Sequence, residues 1–358
     1  MTVPSPYVYL RGLRQVDHTV FCVADGQKTY RDPIFGTWVP YSSGQQVKRS
    51  ILDEMAEQLG EARSPVTFNF SLTKNKQTGK AELGQGEPWS PCDPAYADQL
   101  IGGWMRAGKE GAPVKRRSPL SISAMRPLHP TLSGLAREDV TFDRSDHPEK
   151  QKIRVTDDQG QEVSHEEFIQ FLRDSNRNQP MRLWIPRDKV GPRASGLFVY
   201  DVAIDLRSLF SVSLNNYEPE LSPEKASTLK ENGWRENSDG TRLICPSEIR
   251  KLYAPALAHS LICWRITSNQ SRTYSPQNTL AVALSANANR LAAAIRAELT
   301  EESEYARAVP VLDNVEGVSL YIALTAKASI AGVLATIDAL DLAEADLTKR
   351  LMEFDYDA

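Results

Sequence analysis

Three groups of residues have the types and spacing to do chemistry on a phosphate-bearing ligand. Ser42, Ser43, Gly44, Gln45 and Gln46 precede an apolar stripe of Val47, Ile51, Met55 and Leu59. That stripe predicts an amphipathic helix, and Ser43 with Gln46 fits a capping box at its start. Hydroxyls, amides and unpaired backbone N–H groups at a helix N-terminus bind anions, and Gly44 would let a phosphate approach the backbone. Lys48 and Arg49 read as first-turn cations, which the helix dipole disfavours by a few tenths of a kcal/mol or more. An anion at the helix end would offset that cost by direct pairing. The second group is Lys115, Arg116, Arg117 and Ser118, three successive cations opening a β-prone run that also carries Arg126. Arg106 lies upstream beside Trp104 and Met105, which read as core. The third group is Asp25 and Asp32, in the loop after the first β-prone stretch. A carboxylate there can polarise a nucleophile or hold a divalent cation near a phosphodiester. Asp25-Gly26 and Asp32-Pro33 are also ordinary turn dipeptides.

Other chemistries lack their residues. No phosphate-binding glycine loop, no nucleophile elbow and no metalloprotease helix motif is present, so no cofactor is expected. Cys22, Cys92, Cys245 and Cys263 are dispersed, as are the five histidines. This pattern argues against a metal site and for a reduced, cytoplasmic protein. No apolar run approaches the roughly 20 residues that span a bilayer, and the first residues lack a secretion-signal layout. The 358 residues carry a formal charge of -4, but the sign is unevenly spread. Between residues 100 and 137 seven cations stand against Glu110, whereas Asp338–Ala358 has seven acids and two bases. A basic segment on an acidic chain fits a polyanion groove, or head-to-tail contact between copies.

The elements that would position these groups alternate irregularly. "YVYLRGLRQVDHTVF" (Tyr7–Phe21), "SPVTFNFSLTK" (Ser64–Lys74), "GLFVYDVAIDLRSLFSV" (Gly196–Val212) and "VSLYIALTA" read as strands. Helices are expected after Ser43, at "DQLIGGWMRAG", around Val163–Leu172 and at "LSPEKASTLKENGW". A long helix is expected over "NTLAVALSANANRLAAAIRAELTEESEYARA", with one or two closing helices after it. Residues 75–130 and 133–192 read as insertions, the first a basic finger. The order suits an α+β fold, one antiparallel sheet with helices on one face, within a single domain.

Taken together, "DPIFGTWVPYSSGQQVKRSI", "DQLIGGWMRAGKEGAPVKRRSPLSIS" and "GLFVYDVAIDL" resemble, in that order, the backbone subunit of CRISPR effector complexes. This subunit belongs to the RAMP superfamily, in its DevR-like, type I form. The resemblance implies a modified ferredoxin-like (RRM-like) core with thumb and finger-like insertions. It implies a non-catalytic protein that oligomerises along the spacer part of the guide RNA. Its partners would be guide RNA, further copies of itself, other effector-complex subunits and complementary target DNA or RNA. By position, Ser42, Ser43, Gln45, Gln46, Lys48 and Arg49 fall in the family's guide-contacting first-helix region. Arg116 and Arg117 fall in its next basic segment, beside Arg106, Lys115 and Arg126, and Arg11 and Arg14 lie on the first strand. In type III relatives an Asp after the first strand cleaves target RNA, a role open to Asp25 or Asp32. A self-assembling protein without nucleic acid, its acidic C-terminus docked on a neighbour's basic segment, is the remaining reading.

Overall fold

In the computed structural model, residues 5–21, 27–74, 79–84, 86–106, 113–143, 152–178, 182–266, 274–300 and 307–357 are described. The chain divides into two compact units, Met1–Gly134 with Ala194–Ala358, and Leu135–Arg193. The larger unit is organised by strands β1 (Tyr7–Thr19), β2 (Trp104–Arg106), β3 (Val114–Arg116), β4 (Leu120–Ile122), β5 (Arg193–Asp205), β6 (Thr279–Ser285) and β7 (Val318–Ile322). Its three long helices are α1 (Gly44–Leu59), α2 (Ser247–Cys263) and α3 (Ala339–Met352).

The main sheet runs β4-β5-β1-β6-β7 with antiparallel neighbours throughout. α1 lies in the chain between β1 and β4, and α2 between β5 and β6. Taking β1, β4, β5 and β6 as the first to fourth strands, the spatial order is 4-1-3-2. β2 and β3 form a separate hairpin. The fold is mixed helix and strand with antiparallel pairing, as the sequence pattern suggested.

Alternation along β1 sends successive side chains to opposite faces. Val8, Leu10 and Val16 join Val47, Ile51 and Met55 of α1, Leu257 and Leu261 of α2, and Leu347 and Leu351 of α3 in one core. Each such buried side chain contributes about 1.5–3 kcal/mol. Gly12 sits opposite Tyr200 in the β1–β5 register. A Cβ there would lie 2.3 Å from the Tyr200 ring, so the glycine makes room for an aromatic that ties sheet to helix. The Tyr200 hydroxyl donates to the Leu261 carbonyl at 2.6 Å. Leu13 points the other way, into a second core with Leu197, Val199, Ala281, Leu291 and Ile295. Helices were expected on one face only; the second face also carries a helix, Ala288–Ala294.

Three further expectations change. The long Ala-rich helix is absent: Thr279–Ser285 is strand β6, Ala288–Ala294 a short helix, and Ile295–Thr300 pairs with Arg307–Leu312. β6 is buried at all seven positions between β1 and β7, and that tertiary demand overrides the helix propensity of alanine. The stretch Ser64–Lys74 is not one strand but two short exposed ones, Thr67–Asn69 and Leu72–Lys74, each with its own partner. α2 was not anticipated at all.

In the smaller unit, Val140–Asp143 pairs with Arg182–Ile185. The helix His165–Asp174 starts at a reciprocal capping box between Ser164 and Glu167. Among the described residues, no helix is long and apolar enough to cross a membrane.

Candidate nucleic-acid interface

The N-terminus of α1 is fixed from three sides. Ser43 caps it, accepting from the Gln46 N–H at 3.4 Å. Ser42 is fully buried and exchanges two backbone hydrogen bonds of 2.9 Å with Met125. The Ser42 hydroxyl donates to Gln46 Oε1 at 2.9 Å, and the Gln46 amide nitrogen donates to the Phe21 carbonyl. Gly44 is pressed against the end of β4: a Cβ would lie 2.7 Å from the Ile122 carbonyl oxygen and 3.2 Å from Ser123 backbone. Its close neighbour is thus the chain's own backbone rather than a phosphate. Gln45 points outward and is exposed.

The two helix cations are placed differently from expectation. With Ser43 as the cap, Lys48 and Arg49 fall in the second turn, where the dipole acts less strongly. Lys48 Nζ donates to the Gly102 carbonyl at 2.9 Å, at the C-terminus of the short helix Ala97–Gly102. Burial, and then repulsion from Arg116, pushes its ammonium down to about 8. Arg49 is exposed and pairs with Asp53 at 3.1 Å.

Arg116 is buried at the end of β3, its guanidinium over the Trp104 ring. It donates to the carbonyls of Leu100, Ser208 and Ser211. Burial pushes its pKa down to about 10, partly offset by Glu220 at 3.7 Å. Arg14 is likewise buried, stacked 4.3 Å over Trp264 and donating to that residue's carbonyl at 2.6 Å. Both arginines brace the fold from inside. Arg11 is largely buried, with Asp201 at 2.6 Å and the Ile295 carbonyl at 3.0 Å. Arg126, 40% exposed, reaches the same Asp201 at 3.1 Å. Lys115 is exposed with Glu218 at 3.5 Å. Arg117 is exposed, Arg106 half-buried, and neither has a hydrogen-bond or ion-pair partner among the described residues.

Two concavities flank β4. One, of about 450 Å³, is lined by Ser43, Gly44, Gln45, Lys48, Ile122 and Ala124. The other, of about 490 Å³, takes in Arg11, Ser121, Ile122, Ser123 and Asp201. They share Ile122 but lie on opposite faces of the sheet, the first beside α1 and the second beside the helix Ala288–Ala294, whose Ala288 and Leu291 line it.

Asp32 serves a turn: its Oδ1 accepts from the N–H groups of Ile34 and Phe35 at 3.0 and 2.8 Å. Asp25 lies outside the described residues. So do Lys109 and Glu110 of the basic segment, while Arg137 belongs to the smaller unit and donates to the Asp188 and Val190 carbonyls. Sequence reasoning passed over two aromatics in the loop before α1. Tyr30 and Trp38 are 36% and 62% exposed, on opposite faces of the hairpin Thr29–Arg31/Trp38–Pro40. The signal was present in the position of "GTW" just ahead of the capped start of α1.

The segments carrying the family resemblance come together at this site. Gly44 of the first sits on Ile122 of the second, and Lys48 of the first bonds Gly102 of the second. Ser123 and Asp201 exchange hydrogen bonds of 2.9 Å between the second and third.

No protein-family model and no curated protein matches the chain. Solved structures do. The chain is similar to chains of CRISPR RNA-guided surveillance complexes. One, from a pre-nicking complex, has a TM-score of 0.43 and 11% identity over 97% of this chain and 89% of that one. A second, from another such complex, has a TM-score of 0.37 and 11% identity over 97% and 84%. Csc2 of Thermofilum pendens gives 0.33 and 10% over 80% and 69%.

Proposed function

We propose that this protein is a guide-RNA-binding backbone subunit of a CRISPR effector complex. Its 4-1-3-2 sheet with α1 and α2 on one face is read as a ferredoxin-like, RRM-like palm, and copies of it line up along the spacer. The carrying observation is that the three resembling segments, far apart in sequence, pack against one another around β4. A set of family landmarks that merely recurred by chance would have no reason to pack together.

Within this reading the contacting groups are the α1 N-terminal amides with Ser43 and Gln45, and the cations Arg49, Arg106, Lys115, Arg117 and Arg126. Arg11, Arg14, Arg116, Ser42 and Gln46 stand behind them as positioning residues, and Lys48 lies at the rim. Trp38 and Tyr30 offer faces on which bases stack. The role in this reading is a non-catalytic one; Asp32 is engaged in its turn, and Asp25 lies outside the described residues. Other effector subunits and a complementary target strand complete the assembly.

The test is binding of single-stranded RNA across a salt series. The parent is expected to lose affinity steeply with salt, by about 0.7 in log–log slope per phosphate contact. The triple reversal Arg49→Glu, Lys115→Glu, Arg117→Glu should reduce that slope by about 2. An unchanged slope and affinity in the folded triple variant would overturn the reading.

A further inference from the structure

The geometry points to a metal site between α2 and α3, with a zinc-like cation held by His259, Cys263 and Glu344. His259 and Cys263 are four residues apart, so they project from one face of α2 toward α3. His259 Nδ1 lies 3.0 Å from Glu344 Oε1, and Cys263 Sγ lies 3.3 Å from the same oxygen. One donor atom from each residue lies within 4.8 Å of the others. In a tetrahedral zinc site the ligand atoms stand about 3.3–3.7 Å apart, given bonds of about 2.0–2.3 Å. A small outward movement of the Glu344 side chain therefore opens the cluster to a cation.

The surroundings suit this use. Glu54 of α1 lies 3.7 Å from the other ring nitrogen, His259 Nε2. A carboxylate on the far nitrogen is the usual outer partner of a metal-bound histidine, orienting the ring and fixing its tautomer. Thiolate and one carboxylate would face the divalent cation, while Glu54 also lies 3.9 Å from Arg265. His259 and Glu344 are 31% and 24% exposed, which gives a cation a way in and leaves a fourth position to solvent. A thiolate with an imidazole selects zinc or cobalt over magnesium or calcium. Binding displaces the thiol proton to solvent and forms one metal–sulfur bond. The cation would clip α2 to α3 and, through Glu54, brace α1. The site is independent of the RNA-binding reading.

The experiment is titration of the metal-free, full-length protein with Co²⁺, followed by Zn²⁺. One equivalent of Co²⁺ should produce a thiolate-to-cobalt charge-transfer band that Zn²⁺ abolishes, and Zn²⁺ should raise the melting temperature until a chelator is added. Cys263→Ser should lose the band, and Glu54→Gln should weaken binding by about 10–100-fold. If Cys263→Ser does not fold, Glu344→Gln takes its place and should weaken binding while keeping a cooperative melt. The inference fails if the parent gives no band, or if the band survives unchanged in the folded variant.

Discussion

Neighbouring arginines in one basic run have opposite roles. Arg116 satisfies three backbone carbonyls from inside the protein, whereas Arg117 faces solvent. Arg116→Met should cost about 3–5 kcal/mol, because it leaves Glu220 and buried carbonyls without their partner. Arg117→Ala should alter stability by no more than about 0.5 kcal/mol while weakening RNA binding. Denaturant melts and RNA titrations of the two variants check both halves. Sequence could not separate them, since "KRRS" carries charge but no record of which side chain turns inward. Lys48 adds a pH signature. Its ammonium is pushed down from 10.5 to about 8, so between those values the unfolded chain holds a proton that the folded chain has released. Stability therefore rises with pH through that window. Lys48→Met removes the charge and should be more stable than the parent at pH 7, by up to about 3 kcal/mol. The gap should close as pH rises from 8 towards 10.5; a gap that does not change with pH would contradict the burial argument.

At the scale of elements, α1 was legible because its stripe is one-sided: Val47, Ile51 and Met55 are buried and Gln45 and Arg49 are not. β1 and β5 were legible through alternation, although β5 begins at Arg193 and ends at Asp205, earlier than the hydrophobic run. α2 was not legible. It is buried around most of its circumference and carries Pro255 within it, so no periodic stripe marks it. The His259–Cys263 spacing went unread for the same reason, since four residues matter only once a helix puts them on one face. The seating of α1 on β4 makes a further prediction. Gly44→Ala would normally favour a helix by up to about 1 kcal/mol. Here the added methyl meets the Ile122 carbonyl at 2.7 Å, and backbone yields less readily than a side chain. The variant should be destabilised by about 1–3 kcal/mol and should bind RNA more weakly as the helix end shifts. Chemical denaturation and the same RNA titration measure both effects; a Gly44→Ala variant as stable as the parent would refute the close packing.

At the scale of the molecule, the described cations of the basic segment have different surroundings. Arg116 is internal, Arg126 is shared with Asp201 and Arg137 lies in the smaller unit. What composition presents as one charge block is divided by folding into brace, cluster and free cation. If copies assemble on a guide, light scattering should find a single chain in the absence of RNA and masses that rise stepwise with RNA length. Filaments formed without RNA would favour self-assembly instead. The central place of β1 has a consequence for synthesis. β1 is made first, yet its partners stand at residues such as Asp201 and Ala283. A nascent chain thus carries an unpaired apolar strand with both edges open until β5 emerges, a template for mispairing. Ser123 and Arg126 gain their Asp201 partner only once β5 has emerged. A chain stalled before Asp201 therefore leaves Arg11 and Arg126 without their shared carboxylate.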